Sequence, residues 1–343
     1  METVPNTNAY LNISLSNRSD SELRPASYSE NRQVAILDEM SKWEFAITRF
    51  RIPSFAIPIF RFRAGSYFVT LQGDLTGNFY QEEVMYIPTT PSQPDNNVIY
   101  NYESFLTMIN TALETLTTAF NTGGLENDLD FAPFITYNPQ TQLFSLFGPK
   151  EQMYPAVPDG AKLMFSAPLF NFFSSMDVQN NGLPSLLYPR TEYTMMFRDK
   201  KTNTILTTSD KFIPALAGDA LESMEETVTL QQWSDIRRII LGCSQFPAQQ
   251  EMISVGVDGS NLVIRMYTDF TPSSDLPFKR DNFQYIPSVY RWTNFQSTGP
   301  LTKIDLQVFV VDRYGETYVV QIPPNEAIEV KIGFRLRSSL ESS

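Results

Sequence analysis

Ile328-Glu329-Val330-Lys331-Ile332-Gly333-Phe334-Arg335-Leu336-Arg337 decides the fold class. Ile328, Val330, Ile332, Phe334 and Leu336 recur at every second position, while Glu329, Lys331, Arg335 and Arg337 fill the other parity. An extended chain points successive side chains to opposite faces, so this is a strand with one face in a core and the other in water. The stretch before it follows the same logic. Ile304, Leu306, Val308 and Val310 share a parity, Asp312-Arg313-Tyr314-Gly315 is a turn, and Tyr318, Val320 and Ile322 return before Pro323-Pro324-Asn325. The carboxyl-terminal stretch is therefore expected to form an antiparallel meander.

Working back from there, short strand patterns recur over 11–15, 43–50, 57–63, 67–72, 134–137, 143–147, 193–197, 236–241 and 262–268. Breakers separate them, and the chain holds 23 prolines. A parallel α/β sheet would need a helix between successive strands, so the pattern suits an antiparallel sandwich or jelly roll. One helix is clearly signalled, over about 103–120. Asn101 is placed to cap it, Glu103 lies in the first turn, and Phe105, Ile109, Leu113, Leu116 and Phe120 form an apolar stripe that stops at Gly123-Gly124. A hairpin pattern around Asn138-Pro139-Gln140-Thr141 follows it, and a shorter helix is expected near 168–176. The expected architecture is mainly β: an antiparallel jelly-roll β-sandwich formed by residues 1–95 and 186–343, interrupted by a small α+β insertion over 96–185.

The chain of 343 residues is 42% hydrophobic and only 19% charged, enough apolar side chain for a large core. Its formal net charge of -12 repels phosphate at long range, which argues against direct nucleic-acid binding. Cys243 has no second cysteine to pair with, and the sequons at Asn12 and Asn17 have no secretory signal before them. Apolar residues nowhere run on for the roughly 18 positions that a membrane helix needs. Histidine is absent altogether, which removes the commonest general base and metal ligand. Ser-His-Asp catalysis, Cys-His catalysis and His-containing zinc sites are excluded, and no enzymatic activity, cofactor, metal or small-molecule substrate is expected.

The remaining candidates for chemistry are weak. Glu126-Asn127-Asp128-Leu129-Asp130 alternates oxygen ligands but lacks the Gly and distal Glu of an EF-hand loop. Glu82-Glu83 and Glu225-Glu226 are sequence neighbours, so on strands each pair would point to opposite faces. Cys243 sits in the apolar stretch Ile239-Ile240-Leu241-Gly242-Cys243, where an inert buried thiol is expected. Arg49-Phe50-Arg51 and Phe60-Arg61-Phe62-Arg63 interleave aromatic and guanidinium groups. Amphipathic strands account for that pattern. Beyond it, Arg49, Arg51, Arg61 and Arg63 are candidate subunit-interface residues that could pair with the acidic surface of a neighbour, and a single-strand-binding groove is the third reading.

Several blocks, in order and over most of the chain, resemble the penton (minor capsid) proteins of polinton, adintovirus and virophage-like double-stranded DNA viruses. They are 10–17, Ala26-Ser27-Tyr28-Ser29-Glu30-Asn31-Arg32, Arg49-Phe50-Arg51-Ile52-Pro53 with Ile57-Pro58-Ile59-Phe60, and the 102–110 helix. The 233–251 segment, Tyr267-Thr268-Asp269-Phe270, Tyr285-Ile286-Pro287, Tyr290-Arg291 and Asp312-Arg313-Tyr314-Gly315 complete the series. The resemblance implies a jelly-roll subunit of the virion capsid that assembles as a homopentamer at icosahedral vertices, beside a major capsid protein, with no catalytic residues. Another minor capsid role is equally compatible with these blocks. A jelly-roll binding module, with Tyr285, Tyr290 and Trp292 as a glycan or receptor platform, is the alternative.

Overall fold

The strand that decided the fold class, Ala327–Leu336, is paired on both sides in the computed structural model. That structure describes residues 9–73, 79–88, 97–123, 128–154, 160–180, 192–199, 220–244, 246–247, 252–257, 260–272 and 282–337. Ala9–Ser16 lies antiparallel on one side, with Ile13 opposite Val330, and Trp43–Pro53 on the other, with Phe50 opposite Val330 and Phe45 opposite Phe334. Asn282–Tyr285 and Thr293–Asn294 pair with the far side of Trp43–Pro53.

The register slips between Lys331 and Ile332, which face Arg49 and Ile47 and leave Thr48 as the extra residue of a bulge. The Thr48 hydroxyl donates to the Lys331 carbonyl at 3.1 Å. Gly333 makes room for the bulge, since a Cβ there would come within 2.8 Å of the Thr48 methyl. The slip resets the alternation. Phe45 and Ile47 face inward before it and Phe50 and Ile52 after it, which sends Arg49 and Arg51 out.

A second sheet has Ile236–Cys243 between Ser260–Phe270 and Lys303–Asp312, extended by Met252–Val257, Thr317–Val319 and Ser27–Asn31. The core lies between the sheets. Leu11, Ile13, Phe45, Phe50, Val330 and Ile332 come from the first, and Ile239, Leu241, Leu306, Val308 and Val310 from the second. This is the antiparallel jelly-roll sandwich expected from the alternation.

The expected meander is not formed. Lys303–Asp312 and Thr317–Val319 make a hairpin whose turn is tied by the Asp312 carboxylate, which accepts from the Tyr314 and Glu316 amides, with Gly315 at φ 83. Gln321–Ile322 then pairs with Arg24–Pro25, and beyond Pro323-Pro324 the chain joins the other sheet. Alternation states that a strand has a buried face but not which sheet owns it. Asn17, one of the sequon residues, is buried and donates to the Ile322 carbonyl at 2.8 Å.

The chain divides into two compact units. The sandwich comprises residues 1–61, 90–100 and 234–343, and the second unit comprises 62–89 and 101–233. The second unit is wider than 96–185 because its sheets recruit strands from outside that span. Lys162–Ser166 pairs with Phe68–Gln72, and Leu143–Pro149 pairs with Ala220–Met224. The helix runs Tyr102–Thr122, and the Asn101 side chain accepts from the Ser104 amide at 2.7 Å as expected of a cap. Its stripe of Phe105, Ile109, Leu113, Leu116 and Phe120 is buried. Asn110, on the same face, holds both backbone groups of Ile135, at 2.8 and 3.0 Å. The shorter helix is Ala167–Phe170, continued by one turn over Asn171–Phe173. Among the described residues no helix is long and apolar enough to cross a membrane.

Candidate subunit interface

Arg49 and Arg51 leave the Thr48 bulge on the outer face of the first sheet and share one partner, Glu329, each at 3.9 Å. All three side chains are more than 40% exposed, and at that separation in water each pair contributes under about 1 kcal/mol. The final strand adds Lys331 and Arg335 to the same face. The Lys331 ammonium lies 4.4 Å from the centre of the Tyr10 ring. Arg335 pairs with Glu44 at 2.8 Å and lays its guanidinium 4.3 Å over Trp292. Four cations thus surround two carboxylates, Glu44 and Glu329, on a chain of net charge -12.

The other two predicted arginines are elsewhere. Arg61 lies on the short strand Phe60–Arg61, paired with Val98–Ile99, and meets Glu316 at 3.3 Å, while Phe60 is fully buried as the alternation required. Arg63 belongs to the second unit. The structure therefore brings Arg49 and Arg51 together and replaces Arg61 and Arg63 on that face by Lys331 and Arg335. The outward parity of 329, 331 and 335 was legible in the sequence. Their pairing with a strand far earlier in the chain was not.

The remaining candidates fall into structural roles. Cys243 is fully buried, its thiol facing the Arg265 and Phe246 carbonyls, and burial with the nearby Asp305 charge pushes its pKa up to about 12. Asp305, which sequence reading passed over, accepts from the Ser244 hydroxyl at 2.8 Å and the Phe246 amide at 2.7 Å, tying the turn after that strand. In the acidic run, Glu126 and Asn127 lie outside the described residues, and no group of metal-ligating side chains forms among those described. Of the three aromatics considered as a glycan platform, Tyr285 stacks inward on Phe270 at 5.1 Å and Trp292 has one face covered by Arg335.

In the second unit, Glu225 is fully buried and its neighbour Glu226 exposed, as adjacent positions require. Glu225 accepts from the Phe144 amide at 3.1 Å and touches the Thr229 hydroxyl. Burial raises its pKa to about 7, against the downward pull of those hydrogen bonds. Thr229 also donates to the Phe172 carbonyl at 2.8 Å. A hydroxyl has one proton, so Thr229 shares its own between the Phe172 carbonyl and the Glu225 carboxylate. No local pattern marks this site, because its parts come from three separate segments, around Phe144, Phe172 and Glu225 to Thr229.

A two-sheet apolar core, buried acids held by backbone amides and an outer face of mixed charge define a jelly-roll structural subunit. The sequence matches the family of Sputnik minor capsid protein V18/19 over residues 9–336. The chain belongs to that family, and is thus a structural protein of the virion capsid, part of a shell built with other capsid proteins. The likeness read from the sequence blocks is borne out at the level of the family.

Two solved structures share the fold over nearly the whole chain. One is a chain of the Sputnik virophage solved by cryo-EM: 22% identity, TM-score 0.71, with 99% of this chain and 100% of that one covered. The other is the crystallised mavirus penton protein: 16% identity, TM-score 0.61, with 96% and 100% covered. No curated protein is significantly similar in sequence.

Proposed function

We propose that this chain is the penton subunit of its virion, five copies closing a ring at an icosahedral vertex and meeting the major capsid protein around it. The observation that carries this reading is the full-length fold likeness to a penton protein, on a chain whose family is that of a minor capsid protein. A jelly roll suits the task, because its sheets satisfy one another while loops and outer faces stay available for neighbours, and a heterologous contact repeated five times closes a ring. Arg49 and Arg51, and at their separate positions Arg61 and Arg63, are the residues assigned to contacts with the acidic surface of the next subunit.

Light scattering of the purified full-length protein tests this. The expected species has five times the 39.1 kDa mass of one chain. A monomer or dimer across the accessible concentration range overturns the homopentamer.

A further inference from the structure

Along one edge of the cationic sheet face, beside residues 46–49, the chain makes a loop, 286–292, that exposes apolar side chains from a fixed base. Ile286, Val289 and Tyr290 are 57%, 81% and 42% exposed, three large hydrophobic residues within five positions. Single exposed apolar residues are ordinary, whereas a cluster of them marks a contact surface. Both ends of the loop are held. Before it, Phe283 and Tyr285 stack on Phe270 at 5.3 and 5.1 Å. After it, Thr293 pairs with Phe45 in the central strand, and Trp292 is covered by Arg335 and meets Tyr290 edge-on at 5.9 Å. Pro287 fixes one further backbone angle. The apolar tips are therefore pre-positioned, which lowers the ordering cost of an association.

Two observations identify what the loop meets. First, its surroundings hold Tyr, Trp and Arg side chains, the types that dominate binding energy at protein interfaces. The neighbouring sheet face also intersperses Glu44 and Glu329 among its cations, and those carboxylates weaken its attraction for the phosphates of a nucleic acid. Second, that face has a surplus of positive charge while the whole chain carries -12, so another copy of the same chain is its electrostatic complement. We propose that the 286–292 loop is the apolar anchor of a contact with a second copy of this chain, flanked by Arg49, Arg51, Lys331 and Arg335. The proposal rests on the self-assembly reading above and divides that contact into an apolar part and a screened part.

The two parts respond differently to salt, because charge pairs at a rim are screened and apolar burial is not. Sedimentation velocity on the full-length protein at roughly 0.05 and 0.5 M salt, spanning strong to weak screening, compares three forms. The Val289→Asp/Tyr290→Ser variant is expected to associate at least tenfold more weakly at both salt concentrations. The Arg49→Gln/Arg51→Gln variant is expected to be weaker at low salt and to match the wild type at high salt. Hydroxyl-radical footprinting of the unaltered protein, which needs no variant to fold, is expected to show Tyr290 protected in the oligomer and reactive in the monomer.

A wild-type oligomer in which Tyr290 stays reactive, or a folded loop variant that assembles normally, overturns the proposal and leaves the pentamer standing. Retention of duplex DNA that is lost in the arginine variant, with assembly unchanged, would assign the face to nucleic acid instead. A wild type that remains monomeric defeats the self-assembly reading, and the loop contact with it.

Discussion

The two units of this chain distribute the aromatic side chains of their interiors differently. In the sandwich, branched aliphatic residues such as Ile13, Ile47, Ile239, Val308, Val330 and Ile332 surround two separate aromatic clusters, one of Phe45, Phe246, Tyr267, Phe295 and Phe334 and one of Phe50, Phe270, Phe283 and Tyr285. In the second unit the interior gathers around a single indole. Trp233 stacks on Phe144 at 4.9 Å, meets Phe105, Phe172 and Phe173 at 5.8, 5.1 and 5.6 Å, and donates to the Phe172 carbonyl at 2.8 Å. A core with two aromatic clusters set among aliphatic layers spreads its stabilisation over the sheets. A core keyed by one large aromatic concentrates it at the point where separate segments meet.

The largest expected effect therefore falls on that indole. Trp233→Ala should cost about 3–5 kcal/mol, the range for removing a buried aromatic. Hydrogen exchange should accelerate in the Tyr102–Thr122 helix and the Leu143–Pro149 strand, while Ala327–Leu336 keeps its protection. An equal loss of protection in both units would break the comparison.

The next effect separates the units by pH. Glu225 has a folded pKa near 7, above its ordinary 4.5, so the folded state binds the proton more tightly than the unfolded state. Its contribution is most favourable below pH 4.5 and is lost as the pH rises through 7, by up to about 3 kcal/mol for a shift of this size. Glu225→Gln, which keeps the shape without the charge, should flatten that dependence and raise the melting temperature at pH 8. An unchanged pH profile between pH 5 and 8 would show that the carboxyl is not the titrating group.

The smallest effect is expected in the sandwich. Ile332→Val should cost about 0.5–1.5 kcal/mol, leaving a folded protein whose denaturation midpoint moves only slightly. A loss as large as that at Trp233 would mean that the sandwich core is keyed at a single point too.

The same contrast explains what could be read from the residues alone. The alternation of 328–336, the capped helix at Asn101 and the burial of Phe60 are local properties, each carried by neighbours in sequence. The join of the last strand to the sheet of Ala9–Ser16 and Trp43–Pro53, the gathering around Trp233 and the burial of Glu225 are set by partners far away in the chain. The sequence has no local mark for them. The candidate interface lies between these cases. Arg49 and Arg51 were visible as outward residues, but only the Thr48 bulge and the strand pairing join them to Lys331 and Arg335.

Cys243 has a consequence for handling the protein. It is the chain's one cysteine, it is buried, and a pKa near 12 leaves almost none of it as the reactive thiolate at neutral pH. The native surface is therefore silent toward maleimides and gold clusters. A cysteine introduced at an exposed outer position becomes a single address on each copy, so dyes, heavy-atom labels or displayed peptides could be attached to an assembled shell at one chosen point per subunit without removing a native residue first.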